Sequence, residues 1–77
     1  MEYPSKIVIH INEDLDSKHR IKLSDQVQEK NGVVSASLHE KRTHLMIVAY
    51  DPSETKAYDV LNGVRNSGMH AQLIAWL

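Results

Sequence analysis

The sequence contains five histidines and no cysteine, and these two facts limit the chemistry that its side chains can perform. Imidazole nitrogens bind Cu(II), Zn or Ni(II), and a carboxylate such as Glu13, Asp14 or Asp16 can complete the ligand set. Without cysteine there is no thiolate nucleophile, iron–sulfur cluster or zinc ribbon. Two alternatives stay open for the histidines: a surface that changes charge near a pH of about 6.5, and residues that are simply tolerated on exposed strands.

Length and charge narrow the classes of function further. A chain of 77 residues, 42% of them hydrophobic, has room for one packed core, so we expect a single domain over residues 1–77. The net charge of -1 provides no basic surface for a phosphate backbone, which disfavours nucleic-acid binding. The chain has neither a phosphate-binding glycine loop nor a recognisable catalytic triad, so we expect no enzymatic activity.

The first residues of the chain and the length of its apolar runs indicate where in the cell the protein is expected. No apolar run is long enough to span a membrane, and the first residues lack the basic and then apolar pattern of a secretory signal. We therefore expect a soluble, cytoplasmic protein that does not contact a membrane.

The apolar pattern predicts four strands. The expected strands are residues 6–11, 33–39, 44–50 and 70–76, each rich in β-branched or apolar residues and bounded by polar turns. The second and third of them flank the charged turn 40–43, which predicts a β-hairpin.

Two helices are predicted between these strands. The first begins at Asp16 or Ser17, either of which is a good N-cap, and ends at the helix stop of residues 31–32. The second begins at residues 53–54, where Ser53 and Glu54 follow a proline, and carries Tyr58, Leu61 and Val64 at helical spacing. Gly63 in its interior suggests close packing against the other helix.

The element order βαββαβ predicts an α+β fold. Two βαβ halves that share one antiparallel sheet give the ferredoxin-like sandwich, with strand order 4-1-3-2 and both helices on one face. In that topology the end of strand one, the start of helix one, the hairpin tip and the start of strand four share one end of the domain. All five histidines should therefore lie at that end: His10, His19, His39, His44 and His70.

Strand alternation indicates which of these side chains face the open side of the sheet. If Ile7, Ile9 and Ile11 face the helices, His10 faces away, and the same alternation places His70 outward on the neighbouring strand. If His10 and His70 are directly paired, their Cβ atoms lie about 5 Å apart, and the two imidazoles could share a metal ion. The metal-ligand candidates are His10, His70, His19, Asp16 and His39.

The same alternation predicts an apolar patch on the open face. Placing Met46, Val48 and Tyr50 in the core leaves the intervening residues of strand three outward. The expected patch residues are Val8, Leu45, Ile47, Ile74 and Trp76. We expect a second copy of the chain, a different protein or an amphipathic ligand to cover this patch. The remaining alternative is that the patch stays exposed to solvent without a function.

Three short motifs, taken in order, resemble those of the heavy-metal-associated (HMA) domains. They are Gly32-Val33, Tyr50-Asp51-Pro52 and Gly68-Met69, and the resemblance extends over essentially the whole chain. The resemblance implies the ferredoxin-like fold and a Cu(I)-binding CxxC loop at the start of helix one. In that register Asp16 and His19 occupy the two cysteine positions.

The substitution of the cysteine pair leads to two expectations. Asp16 and His19 are harder ligands than thiolates, so a metal-handling or metal-sensing protein with this loop would bind Cu(II), Zn or Ni(II). Asp16 has a second reading as an ordinary helix N-cap. The alternative function is a metal-free interaction module, a homodimer or a partner-binding domain, that retains the HMA scaffold.

Overall fold

The computed structural model describes residues 3–39 and 41–77 and has the predicted βαββαβ order. Met1, Glu2 and Glu40, the first residue of the predicted turn 40–43, lie outside the described residues. The elements are β1 (Ser5–Ile11), α1 (Ser17–Gln28), β2 (Val33–Leu38), β3 (Leu45–Tyr50), α2 (Ala57–Asn66) and β4 (Ala71–Trp76). The four strands form one antiparallel sheet of order β2-β3-β1-β4, which confirms the predicted ferredoxin-like topology. Among the described residues, no helix is both long and apolar enough to cross a membrane.

β1 lies at the centre of the sheet, between β3 and β4. Its side chains alternate as predicted: Ile7, Ile9 and Ile11 are fully buried against the helices. Ile9 pairs with Met46 on one side and Leu73 on the other, so the core extends across three strands. The alternation predicted for the first and third strands is confirmed.

α1 begins where the sequence predicts. Asp16 is its N-cap, and the Asp16 side chain accepts a hydrogen bond from the backbone N–H of His19. Leu23 and Val27, four residues apart, are the buried positions of this helix, which packs against β2. The short loop of residues 12–16 joins the end of β1 to the start of α1.

α2 begins later than predicted. Residues 51–55 instead form a turn in which the backbone carbonyl of Asp51 accepts hydrogen bonds from the N–H groups of Glu54 and Thr55. The Asp51 side chain accepts two further bonds from the backbone and hydroxyl of Ser53, so it caps the turn, as the sequence indicates. Leu61 and Val64 are buried as predicted, whereas Tyr58 is exposed. The buried residues of α2 are Ala57, Val60, Leu61 and Val64.

An irregularity in each edge strand changes the faces expected from simple alternation. In β2 the register shifts between Val33 and Ser35. Simple alternation from the buried Ala36 would place Val34 inward, but Val34 is exposed and Val33 packs against the core instead. In β4 the shift places Ala75 opposite Val8 and Trp76 opposite Ile7, and directly paired residues point to the same face of a sheet. Trp76 therefore lies on the side of Ile7, and its predicted place in the open-face patch is wrong. Val8 and Ile47 still form the predicted apolar row on the open face.

Gly63 does not mark a close contact between the helices. A Cβ atom at this position would meet nothing nearer than the Lys30 side chain, at 3.9 Å. Glycine is unfavourable in a helix interior because its backbone loses more conformational entropy on folding than that of alanine. We therefore expect Gly63→Ala to raise the free energy of unfolding by about 0.5–1 kcal/mol. Urea unfolding monitored by circular dichroism measures this change, and a lower midpoint would contradict the expectation.

Candidate functional site

The loop between β1 and α1 carries three carboxylates, and each lies within ion-pair distance of a histidine ring nitrogen. Glu13 pairs with His70, which lies just before β4, and the Oε2–Nδ1 distance is 2.7 Å. Asp14 pairs with His44, just before β3, at 2.8 Å, and Asp16 pairs with His19 in the first turn of α1, at 2.6 Å. Three chain segments thus contribute imidazoles to one acidic loop.

The Asp16 carboxylate caps α1 and also contacts the ring of His19. The backbone N–H and the ring Nδ1 of His19 both lie within hydrogen-bond distance of the same carboxylate oxygen, at 2.9 and 2.6 Å. These two bonds hold the pKa of the Asp16 carboxyl below its ordinary range, because they stabilise the ionised form. The predicted cap is therefore present, and its carboxylate also contacts the imidazole that follows it.

Glu13 connects the loop to the start of β4. Its carboxylate accepts bonds from the ring and the backbone N–H of His70, and both lower the pKa of the Glu13 carboxyl. The backbone N–H of Asn12 donates to the carbonyl of His70, so these two residues lie opposite each other. His10 lies opposite Gln72 instead. His10 and His70 are therefore not directly paired, because the strand register separates them by two residues.

His44 has oxygen atoms at both ring nitrogens. Nδ1 is 2.6 Å from the backbone carbonyl of Ile11, and Nε2 is 2.8 Å from Asp14 Oδ1. The backbone N–H of Ile11 in turn donates to the His44 carbonyl, which fixes the backbone of this residue at the end of the sheet. The ring also stacks on that of His10, with 5.7 Å between centroids and 17° between planes.

His10 and His39 have different surroundings from the three paired histidines. His10 Nδ1 lies 3.1 Å from the side-chain oxygen of Asn12 and 3.2 Å from that of Gln72. His39 Nδ1 accepts hydrogen bonds from the backbone N–H groups of Lys41 and Arg42, both at 3.1 Å. His39 thus stabilises the hairpin turn, and no hydrogen bond joins it to the other histidines.

The sequence-predicted ligands are therefore only partly brought together. Asp16 and His19 are in contact, whereas His10, His70 and His39 have separate partners. Within residues 3–39 and 41–77, no three histidine, aspartate or glutamate side chains are grouped closely enough to hold one ion. Sequence reasoning missed the pairing of His44 with Asp14. The signal that could have found it is the antiparallel register, which places the residue before β3 opposite the end of β1.

The donor atoms at this loop fit a divalent transition ion better than Cu(I). Imidazole nitrogens and carboxylate oxygens suit Zn, Cu(II) and Ni(II), whereas the thiolate ligands that select Cu(I) are missing, because the chain has no cysteine. Each imidazole that bonds an oxygen through one nitrogen is held in one ring orientation, as is usual for metal-binding histidines.

Comparison with known proteins supports the fold. No family model matches the sequence, and no curated protein matches it. Among solved structures, the chain is similar to a copper binding domain from HMA7, a P-type ATPase, with a TM-score of 0.85, 21% identity and coverage of 94% of this chain and 96% of that one. It is also similar to the N-terminal domain of a potential copper-translocating P-type ATPase from Bacillus subtilis, with a TM-score of 0.83, 18% identity and coverage of 96% and 91%.

A third similar structure is the copper chaperone of Enterococcus hirae, with a TM-score of 0.78, 15% identity and coverage of 88% of this chain and 98% of that one. These likenesses extend over nearly the full length of each chain. The predicted resemblance is confirmed: the chain has the fold of the HMA domains and lacks their cysteine pair.

Proposed function

We propose that this protein handles a divalent transition-metal ion, Cu(II), Zn or Ni(II), through histidine and carboxylate ligands at the loop between β1 and α1. The observation that carries the proposal is the set of three histidine–carboxylate pairs on residues 13–16. In each pair a single cation, a proton or a metal ion, can link the nitrogen to the oxygen. A metal ion would compete with the proton for the same pair of atoms.

The position of the loop supports the same proposal. Structures that share this fold are named for copper binding and copper transport. In the register of the HMA resemblance, Asp16 and His19 replace the cysteine pair. The change from sulfur to nitrogen and oxygen donors alters which metal is selected, so we propose a function in accessory handling or sensing of harder ions.

The exposure of the loop favours exchange over storage. The side chains of Asp16 and His19 are more than half exposed, and that of Asp14 is almost fully exposed. An ion held there keeps coordination positions that water or an incoming ligand can occupy. Such a site suits delivery to, or sampling from, another molecule.

The test is a titration of the purified protein with Zn, Ni(II) and Cu(II), followed by calorimetry and, for Zn, by NMR of the histidine rings. We expect binding tighter than about 100 μM, which corresponds to about 5.5 kcal/mol. His39→Gln is the matched control, because this imidazole lies outside the three pairs, and it should bind metal like the wild type. Absence of binding below about 100 μM for all three ions would contradict the proposal.

A homodimer through the open sheet face is the second candidate. Val8 lies opposite both Ile47 and Ala75, and Ile74 beside them is 54% exposed, which gives an apolar centre to this face. Four strands about 4.8 Å apart, each of about six residues rising 3.3 Å, cover roughly 400 Å². Stable interfaces bury about 800 Å² per partner, so this dimer would be weak, and we rank it second.

Sedimentation velocity over a range of concentrations tests the dimer. Ile47→Lys should abolish any self-association of the wild type, because it places a charge at the centre of the apolar row. Ile21→Lys, on the exposed surface of α1, is the matched control and should leave association unchanged. A wild type that stays monomeric throughout would remove this candidate.

A further inference from the structure

β2 is an edge strand of the sheet, and alternate residues of it direct their backbone groups away from β3. The backbone N–H of His39 donates to the carbonyl of Leu45, so every second residue from His39 back to Ser35 bonds to β3. Ala36 and Leu38 lie between these residues, and their N–H and C=O groups therefore face outward. An open edge of this kind is a template for pairing with another strand.

The sequence of β2 has few of the features that prevent edge-to-edge pairing. Natural edge strands often carry lysine or proline, or a bulge that twists the edge away. β2 contains neither a charged residue nor proline, and its irregularity lies at its start, between Val33 and Ser35. Residues 35–38 therefore form a regular, uncharged edge.

A groove runs beside this edge, between the strand and α1. It is lined by one side of α1, from Ser17 to Asp25, and by residues 36–38 of β2. Ile21 lies in the middle of the α1 side and is an exposed large apolar residue. A strand added to β2 would therefore place its inward side chains against this side of α1.

A second copy of the chain matches this edge in its geometry. Four strands about 4.8 Å apart carry two helices about 10 Å apart, so a helix pair centred on the sheet lies about 2 Å inside each edge. Pairing two β2 strands about a two-fold axis normal to the sheet gives eight antiparallel strands with all helices on one face. The two α1 helices then lie about 9 Å apart, an ordinary distance for packed helices.

The charges on the α1 side of the groove complement each other across such an axis. Antiparallel packing of α1 on its copy, about the midpoint between Ile21 and Ser24, brings Arg20 to the partner's Asp25 and the reverse. In the described part of the chain, neither of these charged residues forms an ion pair. The Arg20 guanidinium uses only two of its five donors in hydrogen bonds within its own chain.

We propose that two copies of this chain pair through β2 and α1 and form a homodimer with one continuous eight-stranded sheet. The axis passes at Ser37, so Ala36 of each copy pairs with Leu38 of the other through four main-chain hydrogen bonds. The half-buried Leu38 side chain of one copy then enters the groove of the other, beside Ile21. This surface differs from the open sheet face, and the inference does not depend on metal binding.

The interface is small, so the dimer is weak and reversible. Eight residues line the groove, whereas a standard interface involves about 20–30 residues a side. We expect a dissociation constant between about 10 μM and 1 mM. The main-chain bonds set the register of the two strands, and the ion pairs favour the antiparallel orientation of the helices.

Sedimentation velocity and amide hydrogen exchange of the wild type test the dimer between about 10 μM and 1 mM. The apparent mass should rise toward that of two chains. Over the same range, amide exchange of Ala36 and Leu38 should slow at least about twofold, because the dimer covers these N–H groups. The amides of Ser35 and Ser37 already bond to β3 and serve as the internal control, with a smaller change.

Charge reversal tests the contact between Arg20 and the partner's Asp25. Arg20→Glu alone and Asp25→Lys alone each place like charges across the axis and should weaken dimerisation at least about tenfold. A mixture of the two variants should associate again, because every acidic position then faces a basic one in the heterodimer. A change in the folding of either variant would not produce association on mixing.

Ile21→Lys and Ile47→Lys separate this dimer from the open-face candidate. Pairing through β2 and α1 predicts that Ile21→Lys is monomeric and that Ile47→Lys still dimerises. This is the reverse of the result expected for the open face. Ile21 is exposed, so the fold of the variant should be unchanged, and circular dichroism checks this.

Four results would each overturn the inference. They are a wild type that stays monomeric at about 1 mM, and a dimer that leaves amide exchange of Ala36 and Leu38 unchanged. The other two are a dimer lost in Ile47→Lys but kept in Ile21→Lys, and a mixture of the charge-reversed variants that does not associate. The amide measurement needs no substitution, so the test holds even if a variant fails to fold.

Discussion

Replacing Ile9 with alanine is expected to lower the free energy of unfolding by about 3–4 kcal/mol, because it leaves a cavity in a close-packed core. Ile9 is fully buried at the centre of the sheet, where it pairs with Met46 and Leu73. A domain of this length has a total stability of about 4–12 kcal/mol. The loss is therefore a large fraction of the whole, and chemical denaturation monitored by circular dichroism measures it.

Ile21→Ala is the matched control for Ile9→Ala. It removes the same atoms from a side chain that is 63% exposed on α1. Alanine is also the better helix former, so we expect a change within about 0.5 kcal/mol. If Ile9→Ala and Ile21→Ala lowered the free energy of unfolding equally, the burial of Ile9 in the structure would not explain its contribution to stability.

Local patterns explain why most of the fold could be predicted from the sequence. The isoleucines of β1 alternate with less buried residues, and a capping aspartate precedes α1, so each signal depends on a few neighbouring residues. The two edge-strand irregularities carry no such local signal. Val34 is a favourable strand residue, and its exposure results from the register that β2 adopts beside Tyr50 and Ala49.

The contacts of the candidate site were harder to predict from the sequence, because most of them join residues that are far apart in the chain. The Asp16–His19 contact spans three residues, so spacing alone could identify it. The His44–Asp14 contact spans thirty positions and depends on the conformation of the loop after β1. The pairing of His10 with Gln72 likewise follows from the register of β4, which is set by the packing of Leu73 and Ala71.

Gly32→Ala is expected to lower the free energy of unfolding by about 2–4 kcal/mol, the sum of backbone strain and overpacking. Gly32 has a φ of 90°, a conformation that L-residues rarely adopt. An added Cβ would lie 2.9 Å from Thr55 Cγ2 and 3.1 Å from Glu54 Cβ, and Thr55 is itself buried. The Gly32 carbonyl also accepts a hydrogen bond from Asp51 N–H at 2.7 Å, so this backbone cannot shift freely.

Gly68→Ala separates the two contributions to the Gly32 effect. Gly68 has a similar φ of 96°, but nothing lies within 4 Å of the position that its Cβ would occupy. We expect Gly68→Ala to cost only the backbone strain, about 1–2 kcal/mol. Adding Thr55→Ser to Gly32→Ala removes the closest methyl group and should restore part of the lost free energy. Equal destabilisation of Gly32→Ala and Gly68→Ala would contradict this expectation. It would mean that the close approach of residue 32 to Thr55 adds nothing to the loss of stability beyond the backbone strain.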